Sequence, residues 1–396
     1  MTANSNVLTL KGVRAVLPEG IREDLTVIVE NGLIVDLLTD GKVPSTVANS
    51  IDLKGLTLLP GFIDVHIHGA VGVDTMEASV DDLNRVAFYL ATNGVTGWLP
   101  TLVPGPDEDY SRVAETVSVL MSKKNQSSAR ARALGLHYEG PFINSAQCGA
   151  LRPPYFRTFT ASSDVDLLKK VDIEGAVHLT TLAPEIPGGI ELIKELTARG
   201  WVVSIGHTRA QPDVLDLACD AGAKHMTHFM NAMAPLHHRA PGPIGWGLLR
   251  DDVTCDIIAD GVHTAPMMLK LALRCKTAER LALISDAVSP TGLGDGEYQI
   301  WGEKISVVNG KTQNERGSIA GSVVTMLDTV KMMLNLGVSL EEVSKMASGN
   351  PARLLGLEDR IGSIEVGKRA DLVAVDPNMR VVHTFIGGRQ VGKIGN

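Results

Sequence analysis

The chain has 396 residues, of which 44% are hydrophobic and 21% are charged, with a formal net charge of −8. This composition supplies a substantial apolar core and excludes a disordered chain, and the length fits one large barrel plus a smaller module. The acidic balance, without any block of lysine and arginine, argues against a nucleic-acid partner. It still permits an anionic substrate, because a few local cations suffice to bind one phosphate.

The N-terminal segment, MTANSNVLTLKG, has no basic stretch followed by an apolar one, and no apolar run approaches the ~18 residues of a membrane span. We therefore expect a cytoplasmic protein without membrane association. The cysteines show no C-x-x-C pair and no regular spacing, which predicts reduced thiols; they are Cys148, Cys219, Cys255 and Cys275.

Both ends of the chain have the texture of short β-strands. Up to about residue 58, apolar and polar residues alternate in runs that are broken by Gly, Asn and Asp, as in DLTVIVENGLIVDLL. The C-terminal stretches GSIEVGKRADLVAVDP and RVVHTFIGGRQV repeat this pattern. We predict one small β-sandwich domain built from residues 1–58 and 363–396, which flanks a catalytic domain at residues 59–362.

The middle of the chain alternates apolar, strand-like runs with helical patterns such as VDDLNRVAFYLATNG. Continuous apolar strands separated by helices indicate a parallel sheet, and eight such units indicate a closed barrel. The predicted class is therefore α/β, with a (β/α)8 TIM barrel. The eight runs are GFIDVHIH, TGWLPTLV, ALGLHYEGPF, VHLTTLAPE, WVVSIGHT, KHMTHFMNAM, TCDIIADGVH and LALISDAV.

Nearly every one of these runs starts apolar and finishes with His, Glu or Asp. In a parallel barrel, such positions converge on the C-terminal mouth, where barrel enzymes hold their chemistry. Residues that only packed the core would be scattered along the strands instead. The polar ends therefore predict an active site at the mouth, and they are His66, His68, Glu139, Glu185, His207, His228, Asp260, His263 and Asp286.

Five of these residues predict a metal site. His66 and His68 lie two positions apart, so the period-2 geometry of a strand places both imidazoles on one face. Glu139, His207 and His228 end three further strands, and a carboxylate buried there needs a cation or another partner. We expect one or two divalent metals per chain. Zinc is the metal that we expect, although the same ligands suit iron, manganese and cobalt.

Other polar residues suggest how a substrate is handled. Asp286 ends the eighth strand, where a carboxylate is placed to take a proton from a metal-activated water, or to act as a further ligand. His263 is suited to bond the substrate or to support a residue that does. The loop PLHHRAPG carries His237, His238 and Arg239, which either face an anionic group or stay solvated. The backbone N–H groups of Ser318 to Ser322 either contact a ligand or cap a helix.

The stretches PGFIDVHIHG, HYEGPF, SIGHT, THFMNAM, ADGVH, ISDA and SIAGS together resemble the amidohydrolase superfamily and, within it, the N-acetylglucosamine-6-phosphate deacetylase family. The similarity covers nearly the whole chain. It implies a homodimer that removes acetate from an N-acetylated amino sugar 6-phosphate. Glu139, His207 and His228 match the main metal ligands of the family, His66 and His68 match the pair that holds a second metal, and Asp286 matches the catalytic aspartate.

The resemblance also implies substrate contacts. The residue that matches Arg239 reaches the phosphate across the dimer interface in that family. The matching substrate-binding positions are Ala150, Leu151, Asn231, Ala232, Arg239, Asp260, His263, Ile319, Ala320, Gly321 and Ser322. The chain departs from the family after GPF, where Leu151 replaces a histidine and Cys148 stands nearby. This departure leaves the choice between the gluco and galacto sugars open.

The first rival interpretation is a different amidohydrolase, and the second is a non-catalytic scaffold. A dihydroorotase-like or hydantoinase-like enzyme generally uses a carboxylated lysine at the end of strand four, and VHLTTLAPE has none. A deaminase is not expected to carry the NAM and ADGVH stretches together. A non-catalytic scaffold on the same barrel typically loses ligands, whereas this chain keeps all six of the metal-binding and catalytic candidates.

Overall fold

The computed structural model describes residues 7–39, 49–122 and 129–392. Its first strands form most of a mixed sheet: β1 and β2 make an antiparallel hairpin, β3 continues it, and β4 and β5 lie parallel to β1. The β-rich N-terminal segment expected from the sequence is thus present. These strands are β1 (Val7–Leu17), β2 (Gly20–Glu30), β3 (Leu33–Leu38), β4 (Ser50–Asp52) and β5 (Thr57–Pro60).

Eight parallel strands form a closed barrel in the described part of the chain. The strands of this region are β6 (Phe62–Ile67), β7 (Gly69–Ala70), β8 (Val73–Asp74), β9 (Val95–Leu102), β10 (Arg132–Ala133), β11 (Gly135–Glu139), β12 (Val177–Leu182), β13 (Val202–Ile205), β14 (His225–Met226), β15 (Thr254–Ile258) and β16 (Leu281–Ile284). Parallel pairing runs through β6, β9 and β11 to β16. A parallel bridge between Ile67 and Ala287 closes the ring between the first and last strands. Every predicted apolar run contains one barrel strand.

Helices cover the outside of the barrel. α1 shows why they form: Ser79 and Asp82 make a capping box at its start, and the buried Leu83, Val86 and Leu90 recur at helical spacing. The helices are α1 (Val80–Thr92), α2 (Asp107–Met121), α3 (Gly189–Ala198), α4 (Pro212–Asp220), α5 (Gly242–Leu249), α6 (Pro266–Lys276), α7 (Met326–Asn335), α8 (Leu340–Ser344) and α9 (Asn350–Leu354). Among the described residues, no helix is both long and apolar enough to cross a membrane.

A small antiparallel sheet follows the last barrel strand, and the sequence analysis did not predict it. It consists of β17 (Gly296–Ile300), β18 (Glu303–Val308) and β19 (Lys311–Asn314). Ile300 and Ile305 pack with Val288 and Ala320 in a small core of their own, and Trp301 packs against that core. This sheet therefore sits on the loops that leave the barrel mouth.

The C-terminal strands complete the first sheet. They are β20 (Leu372–Val375), β21 (Val381–Ile386) and β22 (Arg389–Gln390), and β20 pairs antiparallel with β5. The alternation along β20 decides which face meets the barrel: Leu372 and Ala374 enter the core of the terminal sheet, whereas Val373 and Val375 enter the barrel core.

The predicted fold class is confirmed, since a parallel barrel is joined to a small β-rich module that both termini build. A division into domains at 1–58 plus 363–396 and at 59–362 remains a proposal. β5 spans the first of these boundaries and still belongs to the terminal sheet. The parts of this prediction at 1–6, 40–48 and 393–396, and the stretch 123–128, lie outside the described residues.

Candidate active site

Three ligand-type side chains from β11, β13 and β14 meet at the mouth of the barrel. Glu139 is the last residue of β11, and His207 and His228 follow the ends of β13 and β14. Glu139 Oε1 lies 2.9 Å from His207 Nε2 and 3.0 Å from His228 Nε2, and the two Nε2 atoms are 3.1 Å apart. All three side chains are nearly inaccessible to solvent. We call them the first donor group.

A second donor group shares the same carboxylate. His66 and His68 point their Nε2 atoms at each other across 3.2 Å, and Glu139 Oε2 lies 3.3 Å from His68 Nε2. Asp286 stands on the other side of this pair, with Oδ1 3.2 Å from His68 Nε2 and 3.5 Å from His66 Nε2. Because Glu139 belongs to both groups, its carboxylate is placed to bridge two cations.

The backbone turns sharply where these side chains leave the strands. His207, His228 and Asp286 have φ values of +49°, +32° and +49°, a left-handed conformation that is uncommon outside glycine. Such strain at three ligand-type or acidic residues of one cluster is typical of a functional site. Gly321 shows how tight this region is, because a Cβ there would lie 2.9 Å from the carbonyl oxygen of Asp286.

The protonation of His207 tests whether the donor set fits a cation. Its Nδ1 lies 2.7 Å from the backbone carbonyl of Gln147, which can only accept, so Nδ1 carries the proton. In the neutral ring, the lone pair on Nε2 then faces Glu139 Oε1 and His228 Nε2. Lone pairs at these distances repel one another unless a proton or a metal ion lies between them. The donor set therefore fits a divalent cation, as metal-ligating histidines are commonly held in this way.

The electrostatics of the cluster point the same way. Burial alone lowers the pKa of His68, but bonds to Asp286 and Glu139 outweigh it and raise that pKa to about 10. Burial also opposes protonation of His228, yet Glu139 raises its pKa to about 9. Burial raises the pKa of Glu139, but the charge of His66 and the bonds from His207 and His228 hold it well below its usual value. The carboxylates of Glu139 and Asp286 thus stabilise positive charge within this cluster.

A cavity of about 300 Å³ opens above the two donor groups. Of the eleven residues that the family resemblance assigns to the substrate, seven line it. They are Ala150, Leu151, Asn231, Ala232, His263, Ile319 and Gly321. The six metal-binding and catalytic candidates adjoin it or lie just beneath it, so the structure brings the predicted centre together.

The other four assigned residues lie outside the walls of this cavity. Asp260 accepts a bond of 2.7 Å from Nδ1 of His263 and so orients that ring. The hydroxyl of Ser322 donates to the carbonyl of Ser285, and Ala320 is buried in the small core beneath β17–β19. Arg239 is exposed; its guanidinium contacts His238, with 2.8 Å between Nη1 and Nε2, and its backbone N–H donates to Nδ1 of His237 at 3.3 Å.

Glu185, which ends the fourth predicted run, serves a different purpose. Its carboxylate accepts bonds from the Asn144 side chain at 2.9 Å and from the Thr208 hydroxyl at 2.6 Å. It therefore ties together two loops beside His207 and contributes nothing to either donor group.

The roles of Trp301 and Asp256 were not predicted from the sequence. Trp301, at the tip of β17–β18, lines the cavity and packs edge-on against His68. Asp256, inside β15, accepts a bond from the backbone N–H of His228 and pairs with His225 at 3.0 Å. A carboxylate in the middle of the apolar run TCDIIAD was a usable signal for Asp256. No pattern around Trp301 indicated its position.

Comparisons with known proteins identify the family of this chain. The amidohydrolase family model matches residues 57–391. N-acetylglucosamine-6-phosphate deacetylase from Bacillus subtilis is 36% identical over 382 residues, which covers 92% of this chain and 95% of that protein. N-acetylgalactosamine-6-phosphate deacetylase from Escherichia coli O157:H7 is 33% identical, with 96% and 98% covered.

A solved structure is similar to this chain in its fold. N-acetylglucosamine-6-phosphate deacetylase from Pasteurella multocida superposes with a TM-score of 0.90 at 29% identity, covering 98% of this chain and all of that one. Both the sequence similarity and the superposition extend over nearly the whole chain, including the strands that carry the donor groups. The chain therefore belongs to the amidohydrolase family and, within it, to the family of the N-acetylglucosamine-6-phosphate deacetylases.

Proposed function

We propose that the chain is a metal-dependent hydrolase that removes acetate from N-acetylglucosamine 6-phosphate. The observation that carries this proposal is the convergence of two donor groups and Asp286 at the barrel mouth, with Glu139 common to both groups. The names and the coverage of the relatives support the same substrate class. The site is buried at its base and open at its top, as an enzyme acting on a small polar substrate requires.

The metal is the first part of the proposal. Glu139, His207 and His228 would hold one divalent cation, and His66 and His68 with Glu139 would hold a second. Zinc is the cation that we propose, with iron, manganese and cobalt as alternatives, because imidazole and carboxylate suit all four. When bound, such a cation lowers the pKa of water and polarises the amide carbonyl.

Asp286 is proposed as the proton shuttle. Burial raises the pKa of Asp286, but the charge of His66 and the bond and charge of His68 lower it overall, so the carboxylate is ionised and can act as a base. It takes a proton as the water oxygen bonds to the acetyl carbon. It then returns that proton to the sugar nitrogen as the C–N bond breaks. The backbone N–H of Ser322 donates to the carbonyl of Asp286 at 2.7 Å and holds it in place.

The walls of the cavity are proposed to bind the sugar. Asp260 occupies Nδ1 of His263, which leaves Nε2 of that ring available to a substrate hydroxyl or carbonyl. Asn231 and Ala232, in the loop after β14, line the same cavity, as do Ile319 and Gly321. Ala320 and Ser322 support the stretch around Gly321 from behind.

Arg239 is proposed to bind the 6-phosphate in a homodimer. Its guanidinium is exposed, is paired with no acid among the described residues, and stands beside His237 and His238, whose ring centroids are 4.3 Å apart. Arginine presents a planar fork that matches phosphate oxygens. Because Arg239 lies outside the cavity of its own chain, the proposal assigns it to the site of the partner subunit.

The cytoplasmic location expected from the sequence stays a prediction.

A second candidate substrate is N-acetylgalactosamine 6-phosphate. The observation that favours it is Leu151, which is buried in the cavity wall where the family pattern has a histidine. A relative named for the galacto sugar is 33% identical to this chain. An aliphatic side chain at this place changes which sugar hydroxyls find a partner.

Acetate release tests both candidates. Purified protein is stripped with a chelator, reloaded with zinc, and assayed on the 6-phosphates of both acetamido sugars and on unphosphorylated N-acetylglucosamine. We expect fast hydrolysis of the gluco 6-phosphate, loss of activity after chelation, and recovery with metal. A higher kcat/KM on the galacto isomer would replace the first substrate by the second. Absence of acetate release from both phosphorylated sugars by the zinc-loaded protein would refute the proposed function.

A further inference from the structure

The turn at the tip of β17–β18 has an unusual occupant. Trp301 and Gly302 connect the paired residues Ile300 and Glu303, and both turn residues have positive φ, +52° and +78°. The next turn of the same sheet consists of Asn309–Gly310, and both of these residues also have positive φ. Asn-Gly is the usual sequence for such turns, whereas a bulky side chain in the left-handed region is rare. Backbone geometry therefore does not account for a tryptophan at this turn.

The indole ring of Trp301 reaches the second donor group. Its centroid lies 5.2 Å from that of His68, with the rings nearly perpendicular at 80°, a favourable edge-to-face arrangement. The other side of the indole faces β8: burial raises the pKa of Asp74 to about 6, and the N–H of Trp301 is among the groups that lower it. That nitrogen is buried and faces Asp74, but within the described ranges it forms no hydrogen bond of regular geometry.

The ring of His68 lacks a hydrogen bond that the ring of His207 has. Nδ1 of His207 is bonded to a backbone carbonyl, which fixes the rotation of that ring. Nδ1 of His68 is buried without a hydrogen-bond partner among the described residues, so no bond on that side of the ring resists its rotation. The contacts of Nε2 to Glu139 and Asp286 hold the opposite side, and the carbonyl of Ala287 holds the main chain at 2.8 Å. A half-turn of the His68 ring about its Cβ–Cγ bond would exchange Nε2 with Cε1 and Nδ1 with Cδ2, and so carry Nε2 away from Glu139. The rings packed against it are His66, a donor of the same group, and Trp301.

We propose that Trp301 is a positioning residue for the second donor group. Its ring holds the imidazole of His68 with Nε2 directed at Glu139, and so sets the affinity of the cation site that His66 and His68 form. The inference rests on the proposed function, since it assumes that this group binds a metal. It also accounts for the tryptophan at a turn that asparagine would fill with less strain.

Metal binding by three variants of the full-length protein tests this inference. Trp301→Asn removes the ring but suits the turn, as Asn309 shows, so it does not threaten the hairpin. Trp301→Phe keeps an aromatic ring against His68 and loses only the N–H and part of the indole. Trp201→Phe is the matched control, because Nε1 of Trp201 is likewise buried without a partner among the described residues, and its ring packs on Tyr138 and His178, away from the cavity.

Each protein is stripped of metal and titrated with Co²⁺, which is followed by its visible absorption, and the metal content is checked by elemental analysis. We expect two sites in the parent protein. In Trp301→Asn the second site weakens by about 10–100-fold, the range seen when support of a ligand is removed, and the first site is unchanged. Trp301→Phe restores most of the affinity, and Trp201→Phe matches the parent.

Three outcomes would overturn the inference: parent-like affinity at both sites in Trp301→Asn, an equal loss in Trp201→Phe, or a single site in the parent protein. None of these outcomes is the failure of the proposed function. That function fails when the zinc-loaded parent releases no acetate, whatever the Co²⁺ titrations give.

Discussion

The two donor groups share Glu139 but hold their histidines by different means. In the first group, Nδ1 of His207 is bonded to a carbonyl, which fixes that ring. His228, whose own Nδ1 has no partner among the described residues, is held through its backbone N–H by Asp256. In the second group, His66 and His68 have unpartnered Nδ1 atoms among the described residues and depend on ring packing. Hydrogen bonds fix an imidazole more narrowly than edge contacts do. We therefore expect the first group to bind its cation more tightly than the second.

The largest effect is expected where the two groups overlap. Glu139→Gln keeps the size of the side chain but removes the charge that both groups use. Since a bound cation contributes several kcal/mol to the transition state, kcat should fall by about 10⁴-fold. Elemental analysis should find both cations lost together. Retention of one cation at its parent affinity would show that the groups are independent and that Glu139 does not bridge them.

Asp286 lies next to the second group but is expected to act in chemistry rather than in binding. Asp286→Asn keeps the shape and removes the base, so kcat should fall by roughly 10²–10⁴-fold, the range for general acid–base catalysis. The metal content should stay near that of the parent protein. Loss of a cation along with activity would instead make Asp286 a ligand and enlarge the second group.

Arg239 lies outside both groups and should affect only substrate binding. Charge-assisted hydrogen bonds contribute about 1.5–3 kcal/mol, so Arg239→Ala should raise KM for the phosphorylated sugar by about 10–150-fold. KM for the unphosphorylated sugar should change little. The control is Arg250→Ala, which removes a half-buried arginine that pairs with Asp216 and Asp252 and should leave both KM values unchanged.

Mixed dimers test whether Arg239 acts in the site of its own subunit or in that of the partner subunit. When Arg239→Ala is combined with Asp286→Asn, one of the two sites pairs an intact Asp286 with the partner subunit's intact Arg239. Some activity should therefore return. Equal KM effects on both sugars would remove the phosphate assignment, and a lack of recovery would confine Arg239 to its own subunit.

The smallest effect is expected at Asp256, which supports His228 of the first group. Asp256→Asn weakens the support of His228 and should lower the affinity of the first cation by about 10–100-fold, with the second site unchanged. Asp371→Asn is the control: this buried aspartate pairs with Arg132 and Arg369, remote from the cavity, so it should cost stability without changing metal affinity. Equal losses at both sites in Asp256→Asn would mean that the groups are not held separately.

Much of this architecture could be predicted from the sequence because its signals are periodic and local. Apolar runs of strand length separated by helical patterns indicated all eight barrel strands, and strand polarity placed their last residues at one mouth. The same logic indicated Glu139, His207 and His228 before any coordinates. It failed for Glu185, since a polar residue that ends a strand can equally bond to neighbouring loops.

The sequence by itself determined the barrel, the terminal strands and the six side chains at the centre, because each depends on hydropathy and on position within a strand. Only the tertiary structure decided how those side chains are held. Asp256 reaches His228 from a neighbouring strand, and Trp301 reaches His68 across more than two hundred residues of chain. Such contacts depend on where loops and hairpins fold in space, and nothing in the local pattern around either residue specifies its distant partner.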